Sequence, residues 1–341
     1  MATISQVLQA GGHQDQVAID SNQPSRIIKK TKKSELEFYR SLANQLERPP
    51  SQQNAWSDWR PQFFGSSNHQ TDEQVSIVLE NLTYKWSTAK TEQGEEQDQL
   101  FNHPNVIDIK LGQRLYDDQA TPEKQERMHR AALETTSAKL GIRLTGAQVI
   151  NQKEPIGCNL LISTLLPPRF DQKTNKQKIW NNLKGEYSSI PKSFGKSIKP
   201  DGSDLQINFN SLFPVSDSKP AHELELDRLT YSAEGLPSEI LKQVIDRSII
   251  PKIQKILDYL SSFNWRIYGA SILIVFEADL STLNTLLSSP DHNRIIQDIA
   301  SVKVIDFAHV QLADSPDPGL LKGFQSTLDL FHQLSAELAL I

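Results

Sequence analysis

In Pro104-Asn105-Val106-Ile107-Asp108-Ile109-Lys110-Leu111-Gly112, Val106 to Ile109 reads as a compact apolar strand broken by Asp108, and the run from Val106 to Gly112 carries a carboxylate and an ammonium in its middle. A second stretch, Val304-Ile305-Asp306-Phe307-Ala308-His309, belongs to a buried strand, Val302 to Phe307, interrupted by a carboxylate in the same way. Taking an unpaired carboxylate out of water is costly, so such a residue finds a partner or holds a metal or ligand. A structural ion pair between strands would satisfy either stretch alone. Two of them in one chain point to a site.

Toward the N-terminus, Val17 to Ile28 alternates weakly around Asp20, Ser21, Asn22 and Pro24, which predicts a hairpin ending in a strand from Arg26 to Lys29. Ser34 is placed to N-cap a helix through Glu35, Leu36, Phe38, Tyr39, Leu42 and Leu46. Residues 48–71 are polar and irregular apart from Trp56, Trp59 and the pair Phe63-Phe64, and Val75 to Leu79 reads as a short strand. Lys90 to Gln99 is a charged loop containing a glycine. Beyond the first stretch, Thr121-Pro122-Glu123 combines an N-cap, a proline and an acid in the first turn, and predicts one helix to about Leu140, stopped by Gly141. Pro167 to Gly235 is rich in Lys, Ser, Asn, Asp, Pro and Gly and reads as a loop-rich insertion with one or two short elements. Pro237 opens a helix that Pro251 kinks or restarts toward Leu260. Ile272 to Phe276 is a buried strand, and Leu320 to Leu338 a closing amphipathic helix. Strands early, then strands and helices together, fit a two-lobed α+β enzyme better than a bundle or a sandwich.

The 341 residues, 38% hydrophobic, suffice for one large domain or two lobes. A net charge of -5 argues against coating of nucleic acid, so no direct nucleic-acid binding is expected; a polyanionic ligand would need a local basic pocket. A single cysteine, Cys158, excludes an intramolecular disulfide and a multi-thiolate zinc site. Met1 to His13 has no basic segment followed by an apolar run, and no apolar stretch approaches the roughly 20 residues that span a bilayer. An intracellular, soluble monomer is expected. Gly195-Lys196-Ser197 has the ending of a P-loop, but Ile190 stands where its first glycine belongs. His13, His69, His103, His129, His222, His292 and His332 show no metal-ligand spacing.

Pro104-x-x-x-Asp108-x-Lys110-x-Gly112 resembles the P-x-x-x-D-x-K-x-G signature of the inositol phosphate kinase family. Leu115-Tyr116-Asp117 and Glu123-Lys124-x-Glu126-Arg127-Met128 follow it and are similar to the multikinase branch. Ile305-Asp306-Phe307-Ala308-His309 resembles that family's I-D-F-A-H segment, and Ala270-Ser271-Ile272-Leu273 sits where the family carries S-S-L-L, with Glu277-x-Asp279 in register. Gln9-Ala10-Gly11-Gly12-His13 and Glu35-Leu36-Glu37-Phe38-Tyr39 add matches near the start. The region Leu160 to Phe170 departs from the family by lacking a Tyr-Gly-Arg-like segment.

The resemblance implies an inositol phosphate kinase fold, distantly like a protein kinase, with an N-terminal nucleotide-binding lobe and hinge over residues 1–82 and a catalytic lobe over 83–341. It implies ATP and Mg2+ as cofactors. Lys29 would contact ATP phosphates with Glu35 holding it, Glu80 and Leu82 would meet adenine, Asp108 would bind the ribose, and Ser271 would support the same region. Lys110 would reach the transferred phosphate and the acceptor hydroxyl, and Asp306 would hold the metal. Without the resemblance, Lys29, Lys30, Lys32 and Lys33 read equally as a solvated basic run or a nuclear-localisation patch. On the helix from about 121 to 140, Lys124 and Arg127 share one face with Arg130 to the side, a stripe able to clamp substrate phosphates. A solvated surface face is the alternative. His309 is either a further phosphate contact or a hydrogen-bonded structural residue.

Against the larger helical insertion of the family's trisphosphate 3-kinase branch, the single helix after Asp117 suggests a more open substrate wall. The resemblance then implies a multikinase that phosphorylates inositol 1,4,5-trisphosphate to tetrakis- and pentakisphosphate, by similarity at the 6- and 3-hydroxyls. Inositol hexakisphosphate kinase and trisphosphate 3-kinase are the alternatives within the family. From another class, the chain could be a scaffold in a nuclear regulatory complex with transcription-regulatory partners. Nucleus and cytoplasm are the expected locations.

Overall fold

The computed structural model describes residues 16–45, 59–70, 74–87, 98–145, 179–182, 186–188, 192–217 and 228–341. Gln9 to His13, Leu160 to Phe170 and most of the loop from Lys90 to Gln99 lie outside them.

The predicted hairpin forms and lengthens: β1 (Val17–Asp20) pairs with β2 (Gln23–Lys32), which runs directly into α1 (Lys33–Gln45). Ser34 therefore lies inside the helix rather than capping it, and its hydroxyl donates to Ala308 O at 2.7 Å. Residues 63–70, read as irregular, form β3 (Phe63–Gln70); β4 (Gln74–Glu80) completes an antiparallel sheet of order β1-β2-β4-β3. The strand was hidden because Gly65, at φ +123, shifts the register and breaks the alternation.

A short ribbon of β5 (Lys85–Ser87) and β6 (Asp98–Leu100) leads to β7 (Pro104–Leu111). After β7 come α2 (Pro122–Leu133), α3 (Ser137–Leu140) and β8 (Ile142–Leu144). The single helix expected to Leu140 is thus two. Thr135 and Thr136 interrupt it: the Thr135 hydroxyl donates back to Ala131 O at 2.9 Å, and the buried Thr136 hydroxyl donates to Ile142 O at 2.6 Å. Both predicted ends hold, since Thr121 Oγ1 accepts from Lys124 N and Gly141 caps at φ +68.

The stretch 167–235 is no loop-rich excursion where it is described. A ribbon of β9 (Ile179–Asn181) and β10 (Glu186–Ser188) precedes α4 (Lys192–Ser197) and α5 (Leu205–Asn210). Phe194, Leu205, Phe209, Leu212, Phe213 and Val215 are all buried in the main core. Polar composition concealed this because the apolar residues are few and scattered among polar ones, and several meet partners far along the chain. Phe209 and Phe213 meet Phe331 edge-on at centroid distances of 5.0 and 5.5 Å.

After Pro237, α6 (Ser238–Val244) passes through one π-helical turn, Ile245–Ile249, into α7 (Ile250–Leu260), so Pro251 restarts the helix. Then follow β11 (Trp265–Ile267), β12 (Ser271–Glu277), α8 (Leu280–Leu287), α9 (His292–Asp298), β13 (Ala300–Ile305), β14 (Val310–Leu312) and α10 (Pro318–Leu338). The second large sheet has the order β13-β12-β7-β8, all antiparallel. Its central strands are buried on both faces, which explains their continuous apolar runs.

Gly323 on α10 sits against the Gly141 cap so closely that a β-carbon there would lie 2.4 Å from Gly141 O and 3.1 Å from a Leu111 methyl. Gly323→Ala is expected to cost about 1–3 kcal/mol, since backbone cannot yield as a side chain can. The denaturant midpoint measures it.

Candidate active site

Strand β2 places Lys29 on the first sheet, opposite Ile77 of β4 and Val17 of β1. Because α1 begins immediately after the strand, Glu35 in its first turn folds back beneath the lysine. Lys29 Nζ donates to Glu35 Oε1 at 2.8 Å and to Asp306 Oδ1 at 2.7 Å. Glu35 is 1% exposed and also accepts from Thr31 Oγ1 and from Phe307 N at 3.2 Å. Burial works against the Lys29 ammonium, but Asp306 and Glu35 more than reverse that and raise its pKa above the ordinary value.

The second sheet supplies the facing residues. Across β13, β12, β7 and β8, Ile305, Ser271, Lys110 and Arg143 stand in one register row. Lys110 Nζ donates to Gly269 O at 3.0 Å and Ser271 Oγ at 3.3 Å, and lies 3.8 Å from Asp306 Oδ2. Asp108, two residues earlier on the same strand face, is 3% exposed; burial pushes its carboxyl up against the pull of Lys110.

The expected strand to Phe307 ends instead at Ile305. Asp306 has φ +71, the one residue other than glycine with positive φ among those described. Aspartate tolerates this conformation better than most residues, although it is sparsely populated. The neighbour that holds it is Phe307, which is fully buried, stacked on Phe38 of α1 at 4.5 Å and edge-on to Trp59 at 5.3 Å. A backbone turned out of the sheet leaves the Asp306 side chain 37% exposed between the two lysines.

The structure thus brings together Lys29, Glu35, Asp108, Lys110, Ser271 and Asp306, which span most of the chain in sequence. A second group adjoins the same loop: His309 Nδ1 is hydrogen-bonded to Asp117 Oδ2, and Lys32 Nζ lies 3.4 Å from His309 Nε2. Lys124 on α2 acts on both Asp117 and His309 through its charge. Four predicted residues sit apart from these contacts. Glu80 Oε2 accepts from Gln62 N at 3.1 Å, and Leu82 is buried beside Phe101, Val106, Val275 and Ile295. Arg127 is exposed, and Arg130 pairs with Glu126 at 3.0 Å on the helix surface.

Arg143 escaped the sequence reading, as did any role for Asp117 and Lys32. The same criterion that singled out Asp108, a charge within an apolar run, would have found Arg143 in Ile142-Arg143-Leu144.

Among the described residues, no group of three or more His, Cys, Asp or Glu is placed to hold a metal ion. An ion carried in on phosphates needs less: Mg2+ commonly takes one or two carboxylates together with phosphate oxygens and water. Asp306, half-open and next to two cations that would face the same phosphates, fits that requirement. No helix among the described residues is long and apolar enough to cross a membrane.

Residues 95–332 match the family model for inositol polyphosphate kinase. The inositol polyphosphate multikinase of Saccharomyces cerevisiae is 23% identical over 89% of this chain and 91% of its own length. Inositol hexakisphosphate kinase 3 of Mus musculus is 23% identical over 69% of this chain, which spans 48% of that relative. Among solved structures, the S. cerevisiae inositol phosphate multikinase in complex with ADP and Mn2+ superposes with a TM-score of 0.55 at 24% identity, covering 90% of this chain and 98% of that one. That likeness extends the fold over nearly the whole chain.

Proposed function

The chain belongs to the inositol polyphosphate kinase family, and from that premise we propose that it is an ATP-dependent multikinase. Its substrates are inositol tris- and tetrakisphosphates, phosphorylated at the 6- and 3-hydroxyls. The observation that carries this reading is the convergence of Lys29, Lys110 and Asp306 within 4 Å contacts from opposite sheets.

Phosphoryl transfer asks a protein for positioning and charge neutralisation more than for covalent chemistry. In this reading Lys29, fixed by Glu35, meets the nucleotide phosphates, and Lys110 lies between the transferred group and the acceptor hydroxyl. Asp306 holds Mg2+, which when bound supplies further neutralisation of phosphate charge. The backbone around Glu80 and Leu82 takes the adenine. Asp108 is assigned to the ribose, a contact that its burial makes dependent on movement of the covering residues. Lys124, Arg127, Arg130 and His309 receive the phosphates of the inositol. The division near residue 82, residence in nucleus and cytoplasm, and transcription-regulatory partners complete the proposal.

Purified protein with Mg-ATP is expected to convert inositol 1,4,5-trisphosphate to tetrakis- and then pentakisphosphate, resolved by anion-exchange chromatography. A single tetrakisphosphate isomer would assign it as a trisphosphate 3-kinase. The mouse relative favours a second reading, a hexakisphosphate kinase; pyrophosphate products from inositol hexakisphosphate would establish that instead.

A further inference from the structure

His309 has two neighbours of opposite and complementary chemistry. The Asp117 carboxylate, 12% exposed, offers only acceptors and faces Nδ1; the Lys32 ammonium offers only donors and faces Nε2 at 3.4 Å. Those partners admit one imidazole state, neutral with its proton on Nδ1 and its lone pair on Nε2. They come from separate elements: Lys32 ends β2, Asp117 precedes α2, and Lys124, the third charge acting on the ring, lies in the first turn of α2. Burial, with the charges of Lys32 and Lys124, keeps the His309 pKa below 6.5 despite Asp117.

We propose that Asp117 and Lys32 are positioning residues that set the charge of His309. The imidazole is neutral in the free protein and takes a proton from solvent when a substrate phosphate draws the Lys32 ammonium away. A phosphate is a better partner for an ammonium than an imidazole lone pair is, and a phosphate beside Nε2 favours the imidazolium, which can then donate to it. Asp117, behind the ring, holds its orientation in both states. The proton uptake rests on the reading that the substrate is an inositol polyphosphate; the charge-setting does not.

Two measurements separate these parts. Nitrogen-15 NMR of the ligand-free protein is expected to show His309 protonated on Nδ1 at pH 7 and titrating below 6.5. Lys32→Met is expected to raise that pKa and Asp117→Asn to lower it. A merely structural pair would not give opposite shifts, and the exposed Lys32 keeps the test decisive if Asp117→Asn fails to fold. Calorimetric titration with inositol 1,4,5-trisphosphate in buffers of different ionisation heat is expected to show more proton uptake by wild type than by His309→Gln. Asp117→Asn is expected to raise KM for the trisphosphate about tenfold, the loss of one charge-assisted hydrogen bond, with KM for ATP unchanged. Equal His309 titration in all three proteins overturns the charge-setting. Equal proton uptake by His309→Gln overturns the coupling, and failure of the trisphosphate to bind at all overturns the substrate reading instead.

Discussion

Asp306→Asn is expected to lower kcat by at least about 10²–10³-fold, the loss typical of removing a preorganised electrostatic partner from a transition state. Its folding is expected to survive. Asparagine is among the few residues that accept the left-handed conformation seen at Asp306, φ +71, and its side-chain oxygen can still accept from Lys29. The substitution removes charge while preserving shape and backbone preference. Turnover of inositol 1,4,5-trisphosphate, set beside the melting temperature, checks the two halves together. A variant that keeps wild-type turnover would remove Asp306 from the chemistry. In cells, a phenotype that persists with Asp306→Asn would favour the scaffold in a nuclear regulatory complex over the enzyme.

The second large effect falls on stability and activity at once. Lys29→Met strands Glu35, 1% exposed, with Thr31 and the Phe307 amide as its remaining donors among the described residues. Breaking a buried pair by removing one partner costs about 3–5 kcal/mol, because the remaining charge stays desolvated. Denaturant unfolding should show that loss, and kcat/KM for ATP should fall by at least about 10²-fold. The double variant Lys29→Met/Glu35→Gln is expected to recover most of the stability and none of the activity. Recovery of both would mean that the pair serves only to fasten β2 to α1. No loss of stability in the single variant would mean that Glu35 finds another cation.

Much of this was legible beforehand. Charged residues inside apolar strands marked Asp108, Lys110 and Asp306, because water is too good a solvent for charge to be given up without compensation. Thr121 and Gly141 marked the limits of the region after Asp117 through local chemistry alone, an oxygen acceptor for free amides and a backbone with no β-carbon. What failed, failed partly where the deciding partner was remote and partly where a side chain or a neighbouring strand took a local alternative. The helix breaks at Thr135 and Thr136 because one hydroxyl turns back to Ala131 O and the other donates to Ile142 O, and Phe209 and Phe213 are core residues because Phe331 of α10 and Phe276 of β12 come back across them. Ser34 looks like a cap until β2 is seen to continue straight into α1.

By itself, then, the sequence determined which side chains could not be ordinary: acids and lysines embedded in runs that must leave water, with the local signals that start and stop the surrounding elements. Only the tertiary structure decided what those side chains face. Lys29 and Asp306 stand 277 residues apart along the chain and 2.7 Å apart in space, brought together by strand register and the stacking of Phe307 on Phe38. Propensity and periodicity act over a few residues. Pairing across sheets is set by long-range packing, which no local pattern records.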